Sequence, residues 1–238
     1  MPGKETAAAF LETHRYAAFK GGSLGFTKME GTTVNARDKV AYSAISYVQT
    51  AMTNGSGGIS IQGPQAGMVY AWKLRGRQRD DTGAWIHSHW VPTSGEPVPE
   101  LIGEDLGSAD ALGNTANADK VSNPDNLKFS EGMRTLFIGE DSGRHVNNFL
   151  WAYNVDTKKL SRILSCPVGA ESTGLHAVDD VNGFTYIMSN FQHPGDWESP
   201  LHDIVRPAVE ALINTNYNNR ASAAVGYLTD AGPKKHPV

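Results

Sequence analysis

The sequence predicts an all-β fold of repeated four-stranded antiparallel units, the organisation of a β-propeller. Three observations lead there. Short apolar or alternating segments recur along most of the 238 residues. Turn-forming pairs such as Asn54-Gly55, Gly57-Gly58, Glu131-Gly132 and Asp156-Thr157 divide them. The segments also fall into consecutive sets rather than alternating with helices. About three sets are visible, whereas a closed propeller has at least ~4 blades. The expectation is therefore a single but incomplete propeller unit over 1–238.

Taken in order, residues 5–20 place Ala7, Ala8, Phe10, Leu11, Tyr16, Ala18 and Phe19 among polar partners, which predicts a short amphipathic helix ending at Gly21-Gly22. The first strand set comprises 32–35, 39–48, 67–75 and 84–90. From 91 to 122 the composition turns to Gly, Pro, Asp, Glu and Asn with little periodicity, which predicts an insertion loop with one brief ordered turn at Glu100-Leu101-Ile102-Gly103. The second set is 126–130, 134–139, 148–155 and 159–166, and a third begins at Glu171 and continues through 184–188. Residues 199–213 read as a short helix with Leu201, Ile204, Val205, Val209 and Leu212 on one side, before a last strand at 225–228.

The composition narrows the function. With 21 basic and 25 acidic residues and a formal charge of -4, the chain has no basic surplus for tracking a nucleic-acid backbone. A lone cysteine, Cys166, supplies neither an internal disulfide nor a multi-cysteine zinc site and reads as a buried, inert thiol. No apolar run approaches the ~20 residues that span a bilayer. The run Ala7-Ala8-Ala9-Phe10-Leu11 is interrupted by Glu12 and His14 and reads poorly as a signal peptide, so the compartment stays open.

The chemistry concentrates between Asn123 and Gly195. Asn123-Pro124-Asp125-Asn126-Leu127, Gly139-Glu140-Asp141-Ser142-Gly143 and Gly169-Ala170-Glu171-Ser172-Thr173-Gly174 each place a carboxylate at the edge of a predicted strand, as does Lys28-Met29-Glu30-Gly31 upstream. Strand ends converge near a propeller axis, and calcium takes ~6 to 8 oxygen ligands, so one acidic residue per blade could build a shared cation site. Each carboxylate also reads as a turn residue satisfying nearby N–H groups. His193, in Phe191-Gln192-His193-Pro194-Gly195, suits metal binding, acid catalysis or a structural hydrogen bond. Arg144 suits oxyanion recognition or an ion pair with Glu140 or Asp141. His87 and His89 share one side of a predicted strand, a spacing compatible with a transition metal or with ordinary edge-strand residues. No serine-nucleophile elbow, phosphate-binding glycine loop or His-Glu-x-x-His helix is present.

Four motifs together resemble the PhoX-type alkaline phosphatases and their bacterial relatives: Phe26-Thr27-Lys28-Met29-Glu30-Gly31 with Val34-Asn35, Asn123-Pro124-Asp125-Asn126-Leu127, Gly169-Ala170-Glu171-Ser172-Thr173-Gly174, and Asn190-Phe191-Gln192-His193-Pro194-Gly195. The resemblance covers about residues 15–227. It implies a six-bladed propeller with calcium and iron at one end of the central channel, where phosphate monoesters are hydrolysed. By motif match it implies Glu30, Asp125 and Glu171 as metal ligands, with Asn123, Arg144 and His193 as catalytic candidates. It also implies an exported protein. The departures are specific. Asn123-Pro124-Asp125 stands where the phosphatases have Arg-Pro-Glu, removing a phosphate-binding guanidinium that Arg144 would have to replace. The family's iron-binding Thr-Cys-Glu-Glu-like motif has no counterpart, which suggests the C-terminal part of a family member. Two other readings are a calcium-stabilised propeller module that binds a partner or glycan, and a sugar-lactone hydrolase with a calcium-bearing axial site.

Overall fold

The structure, a computed structural model, describes residues 3–219 and 222–229. Eleven strands form three antiparallel sheets. The first contains β1 (Met29–Asn35), β2 (Val40–Ile45), β3 (Met68–Arg75) and β4 (Val91–Ile102) in that spatial order. The second contains β5 (Pro124–Ser130), β6 (Thr135–Glu140), β7 (Phe149–Asn154) and β8 (Lys159–Ser165), again in chain order. The third has β9 (Glu171–Val181), β10 (Phe184–Gln192) and β11 (Ala224–Thr229). Among the described residues no sheet closes on itself.

Side-chain alternation explains how the sheets stack. Along β6, Leu136 and Ile138 enter a core shared with Tyr42, Val69 and Leu101 of the first sheet, while Phe137 turns the other way. It joins Leu150 and Ala177 in the core shared with the third sheet. β7 divides likewise, with Phe149, Trp151 and Tyr153 on one side and Leu150 on the other. The second sheet is therefore buried on both faces, as a period of two requires of a central layer. The outer face of the first sheet is covered by its own excursion between β2 and β3, where Met52 of α3 (Thr50–Thr53) packs on Ile45, Met68 and Tyr70.

The first strand of each sheet lies beside the next, β1 against β5 and β5 against β9. Glycine permits that approach. A Cβ on Gly31 would sit 2.5 Å from the Asp125 carbonyl oxygen, and one on Gly139 2.2 Å from that of Ser172. At the opposite end Arg134 binds Asp156 at 2.9 Å and also pairs with Asp38 of the first sheet's hairpin. Asp179 of β9 there accepts the Gly132 N–H at 2.8 Å and the Ser130 hydroxyl.

Four expectations need correction. Residues 91–102 are not loop but strand β4, whose Pro92, Pro97 and Pro99 hid it. They are tolerated because β4 is an edge strand, where a missing N–H costs no ladder bond. Only 103–122 of the expected insertion is irregular, and Asp110 orders it by accepting the N–H groups of Leu112, Gly113 and Asn114. Conversely, 84–90 is not a strand but part of the β3–β4 excursion, with a single bridge between Arg79 and Trp85. The N-terminal helix is two, α1 (Glu5–Leu11) and α2 (Thr13–Phe19), broken at Glu12 where the Thr13 hydroxyl donates back to the Ala9 carbonyl. The second predicted helix starts later, as α4 (Arg206–Asn216) with Pro207 in its first turn.

Glycine at the sheet interface gives a direct test. Gly139→Ala should lower the unfolding free energy by about 1–3 kcal/mol through forced overpacking. Gly226→Ala, whose Cβ would meet nothing within 4 Å, should change it by less than about 0.5 kcal/mol. Denaturant unfolding of both proteins reads the difference, and equal effects would contradict the close approach.

Candidate metal centre

The starts of the three first strands gather the acidic motifs. β1 and β5 begin alike: Met29 pairs with Ile45 and Thr32 with Ser43, just as Pro124 pairs with Glu140 and Leu127 with Ile138. Each strand thus carries one extra residue, a bulge at Glu30-Gly31 in one and at Asp125-Asn126 in the other. Bulges re-aim side chains at strand ends. The residues just before, Lys28 and Asn123, both adopt positive φ, 44° and 43°.

Asp125, Asp141 and Glu171 converge, offering one carboxylate oxygen each within 4.8 Å of one another. They come from the start of β5, the residue after β6 and the start of β9. Among the described residues this is the only grouping of three or more histidine, cysteine or acidic side chains within ligating reach. Asp125 is 9% exposed, and burial, then the nearby charges of Glu30 and Asp141, push its carboxyl up from 3.8 to about 6. Glu30, nominated from its motif, is exposed and lies outside the trio, acting on Asp125 through its charge. Asp141 holds the third place. Strand alternation distinguishes it from its neighbour Glu140, which points inward and is 0% exposed.

Two basic groups flank the trio. The Lys28 ammonium donates to Asp141 Oδ2 and lies 5.3 Å from the Tyr47 ring centroid. Burial pulls Lys28 downward, but the hydrogen bond and charge of Asp141 outweigh it and the net shift is upward. His193 Nε2 is 2.5 Å from Glu171 Oε1, and its Nδ1 is 3.2 Å from the Gly169 carbonyl oxygen. Burial again opposes the charge, yet the Glu171 charge and hydrogen bond hold the imidazole above its ordinary range. Gln192 donates to the other Glu171 oxygen at 2.6 Å.

The other nominated residues have different roles. Asn123 is fully buried. Its amide donates to the carbonyls of Ser46 at 2.8 Å and Gln65 at 3.0 Å, and its oxygen accepts the Ser142 hydroxyl at 2.7 Å. It braces the first two sheets and has no group left for substrate. Arg144 pairs with neither Glu140 nor Asp141; it binds the Gln65 side chain and lies 3.6 Å from Asp105, facing a neighbouring cleft. His87 and His89 lie in the β3–β4 excursion, not on a strand. Cys166 is buried, and desolvation pushes its thiol up to about 12, so it stays protonated and is a poor iron ligand.

The frame behind the trio is the buried Glu140 carboxylate. It accepts the N–H groups of Ser122 at 2.8 Å and Phe149 at 3.0 Å, the Trp151 indole at 2.7 Å, and His145 Nδ1 at 3.0 Å. His145 Nε2 in turn faces the Asn117 carbonyl at 3.2 Å, so both ring nitrogens meet oxygen partners.

The donor set suits a hard cation. All three converging groups are carboxylates, the preferred ligands of Ca²⁺ and Mg²⁺. The four acidic side chains, Glu30, Asp125, Asp141 and Glu171, outnumber the two flanking basic groups, Lys28 and His193. The upward shift of Asp125 reflects its burial first and that surplus second. Compared with protein-family models, with curated proteins and with solved structures, the chain matches none.

The raised Asp125 carboxyl predicts a pH signature. Its protonated form is favoured by the fold, so the associated stability is complete below 3.8 and lost as pH rises through about 6. In chelator, wild type should lose about 3 kcal/mol relative to Asp125→Asn across that interval. Added calcium should recover much of it above pH ~6 by linkage. A gap between the two proteins that is constant with pH, with or without calcium, would contradict the charge surplus.

Proposed function

We propose that this chain is a PhoX-like, calcium-dependent phosphomonoesterase, and that its three sheets are consecutive blades of a propeller. The observation that carries the reading is the convergence of Asp125, Asp141 and Glu171 from three separate elements, with Lys28 and His193 beside them. The side-by-side first strands β1, β5 and β9 support the blade assignment. The motif resemblance supplies the reaction class.

Asp125, Asp141 and Glu171 would hold the calcium ion, with carbonyls or water completing its shell. When bound, such an ion polarises phosphoryl oxygen and favours attack by an activated water. Lys28 supplies the cationic charge that the missing arginine would have given, because its ammonium already lies on the trio whereas Arg144 is turned away. His193 would serve as the acid for the departing alcohol oxygen by turning its Nε2 proton away from Glu171, which holds it in the resting site. Glu171 orients that imidazole, and Gln192 fixes Glu171. Glu30 adds negative potential at the rim. Iron is not part of this proposal, since the family's iron-binding cysteine motif has no counterpart in this sequence.

The rival reading is a non-catalytic module in which calcium only ties the sheets together. It is favoured by Asn123, which stands in the phosphatase arginine position and is wholly consumed in bracing.

Calcium titration and hydrolysis of a generic phosphate monoester, with and without chelator, separate the readings. Glu171→Gln and Asp141→Asn should each weaken calcium binding by at least about tenfold, the loss typical of disturbing a metal's ligand shell, and abolish turnover. Lys28→Met should spare calcium binding and lower kcat/KM. Unchanged calcium affinity in Glu171→Gln would sink the proposal, and tight calcium binding without turnover would favour the module.

A further inference from the structure

Beside the carboxylate trio lies an open cleft of about 570 Å³. It is joined to the trio on two sides. Thr27 of the cleft wall precedes Lys28, whose ammonium binds Asp141, and Gln65 of the wall is held by Arg144, three residues after Asp141. The wall is built from hydroxyl, amide and carboxyl groups, chiefly Thr27, Gln49, Thr50, Gln65 and Asp105, and no aromatic side chain lines it.

Much of this wall is fixed in place. Asp105 accepts the N–H groups of Gln65 and Ala66, both at 2.8 Å, and Arg144 lies against Asp105 and Gln65 together. Thr27 donates its hydroxyl to the Tyr47 carbonyl at 3.0 Å, so the hydroxyl oxygen keeps capacity to accept. The Gln49 amide and Thr50 hydroxyl are exposed and make no hydrogen bond among the described residues. A wall of oriented donors and acceptors without an aromatic face suits a ligand bearing several hydroxyls, and gives a flat aryl group nothing to stack on.

We infer that this cleft receives the alcohol portion of the substrate and selects polyol or sugar phosphates over aryl phosphates. The inference rests on the phosphomonoesterase reading for the position of the phosphate, with the ester oxygen directed past Lys28 toward Thr27. Gln49 and Thr50 then act as specificity-determining residues, offering hydrogen bonds that only a hydroxylated leaving group can use.

The test compares D-sorbitol 6-phosphate with phenyl phosphate on the calcium-loaded full chain, by calorimetric binding and by kcat/KM. The partner variant is Gln49→Leu/Thr50→Val, at exposed positions outside the metal trio. Wild type should prefer the sorbitol ester by about tenfold or more, as expected where two hydrogen bonds to substrate discriminate. The double variant should erase that preference while changing phenyl phosphate by less than about twofold. If neither ester is hydrolysed but the binding preference and its loss in the variant remain, the cleft assignment stands and the phosphatase reading fails. Equal handling of the two esters, equal effects of the variant on both, or binding of neither would overturn the assignment.

Discussion

A single buried carboxylate organises the middle of this molecule. Glu140 is 0% exposed and receives four hydrogen bonds, from Ser122, His145, Phe149 and Trp151. Hydrogen bonds to a charged group contribute about 1.5–3 kcal/mol each where the charge would otherwise be stranded. These four join the irregular 103–123 connection, the β6–β7 turn and strand β7 to the end of β6. Asp141 follows immediately, and its N–H donates to the Asn123 carbonyl at 3.2 Å. The position of Asp141 is thus set by the buried Glu140 beside it, and the connection that carries Asn123 into β5 is tied to the same point.

The site can be understood as a variation on a repeated corner. In the first sheet Ser46 follows β2 and donates its N–H to the Lys28 carbonyl; in the second Asp141 follows β6 and donates to Asn123. Lys28 corresponds to Asn123, Glu30 to Asp125 and Ser46 to Asp141. The exchange of side chains between equivalent places produces the asymmetry: a cation enters from the first sheet and two acids from the second. Lys28 reaches across to Asp141, while Asn123 reaches back to the Ser46 carbonyl. Glu171 closes the group from the third sheet, steadied by Gln192 and His193 on the adjacent strand end. The outcome is a half-buried concentration of negative charge with two basic groups at its margin, a local field that could hold a metal ion.

Much of this was legible in the sequence. The strand sets of the second sheet match the observed strands within two residues at either end, because turn pairs and period-two patterning act locally. Asp125 and Glu171 stood out because each begins a strand after a turn motif. What stayed hidden was set by tertiary context. Pro92, Pro97 and Pro99 concealed β4, since sequence does not reveal that a strand lies at an edge. Asp141 could have been chosen over Glu30 from the alternation of β6, which sends Glu140 inward, but the choice needed the neighbouring sheet to define which side faces the trio. The bracing role of Asn123 was hidden for the same reason: its partners Ser46 and Gln65 are 77 and 58 residues away.

The central claim is that Asp125, Asp141 and Glu171 form one hard-cation site. The most direct measurement is a crystal structure of the full chain grown with calcium and soaked with a lanthanide, using anomalous scattering to locate the ion. The account predicts a strong peak among the three carboxylates, with Lys28 displaced from or sharing Asp141. A map with no peak there, or with the lanthanide only at other acidic side chains, would contradict it.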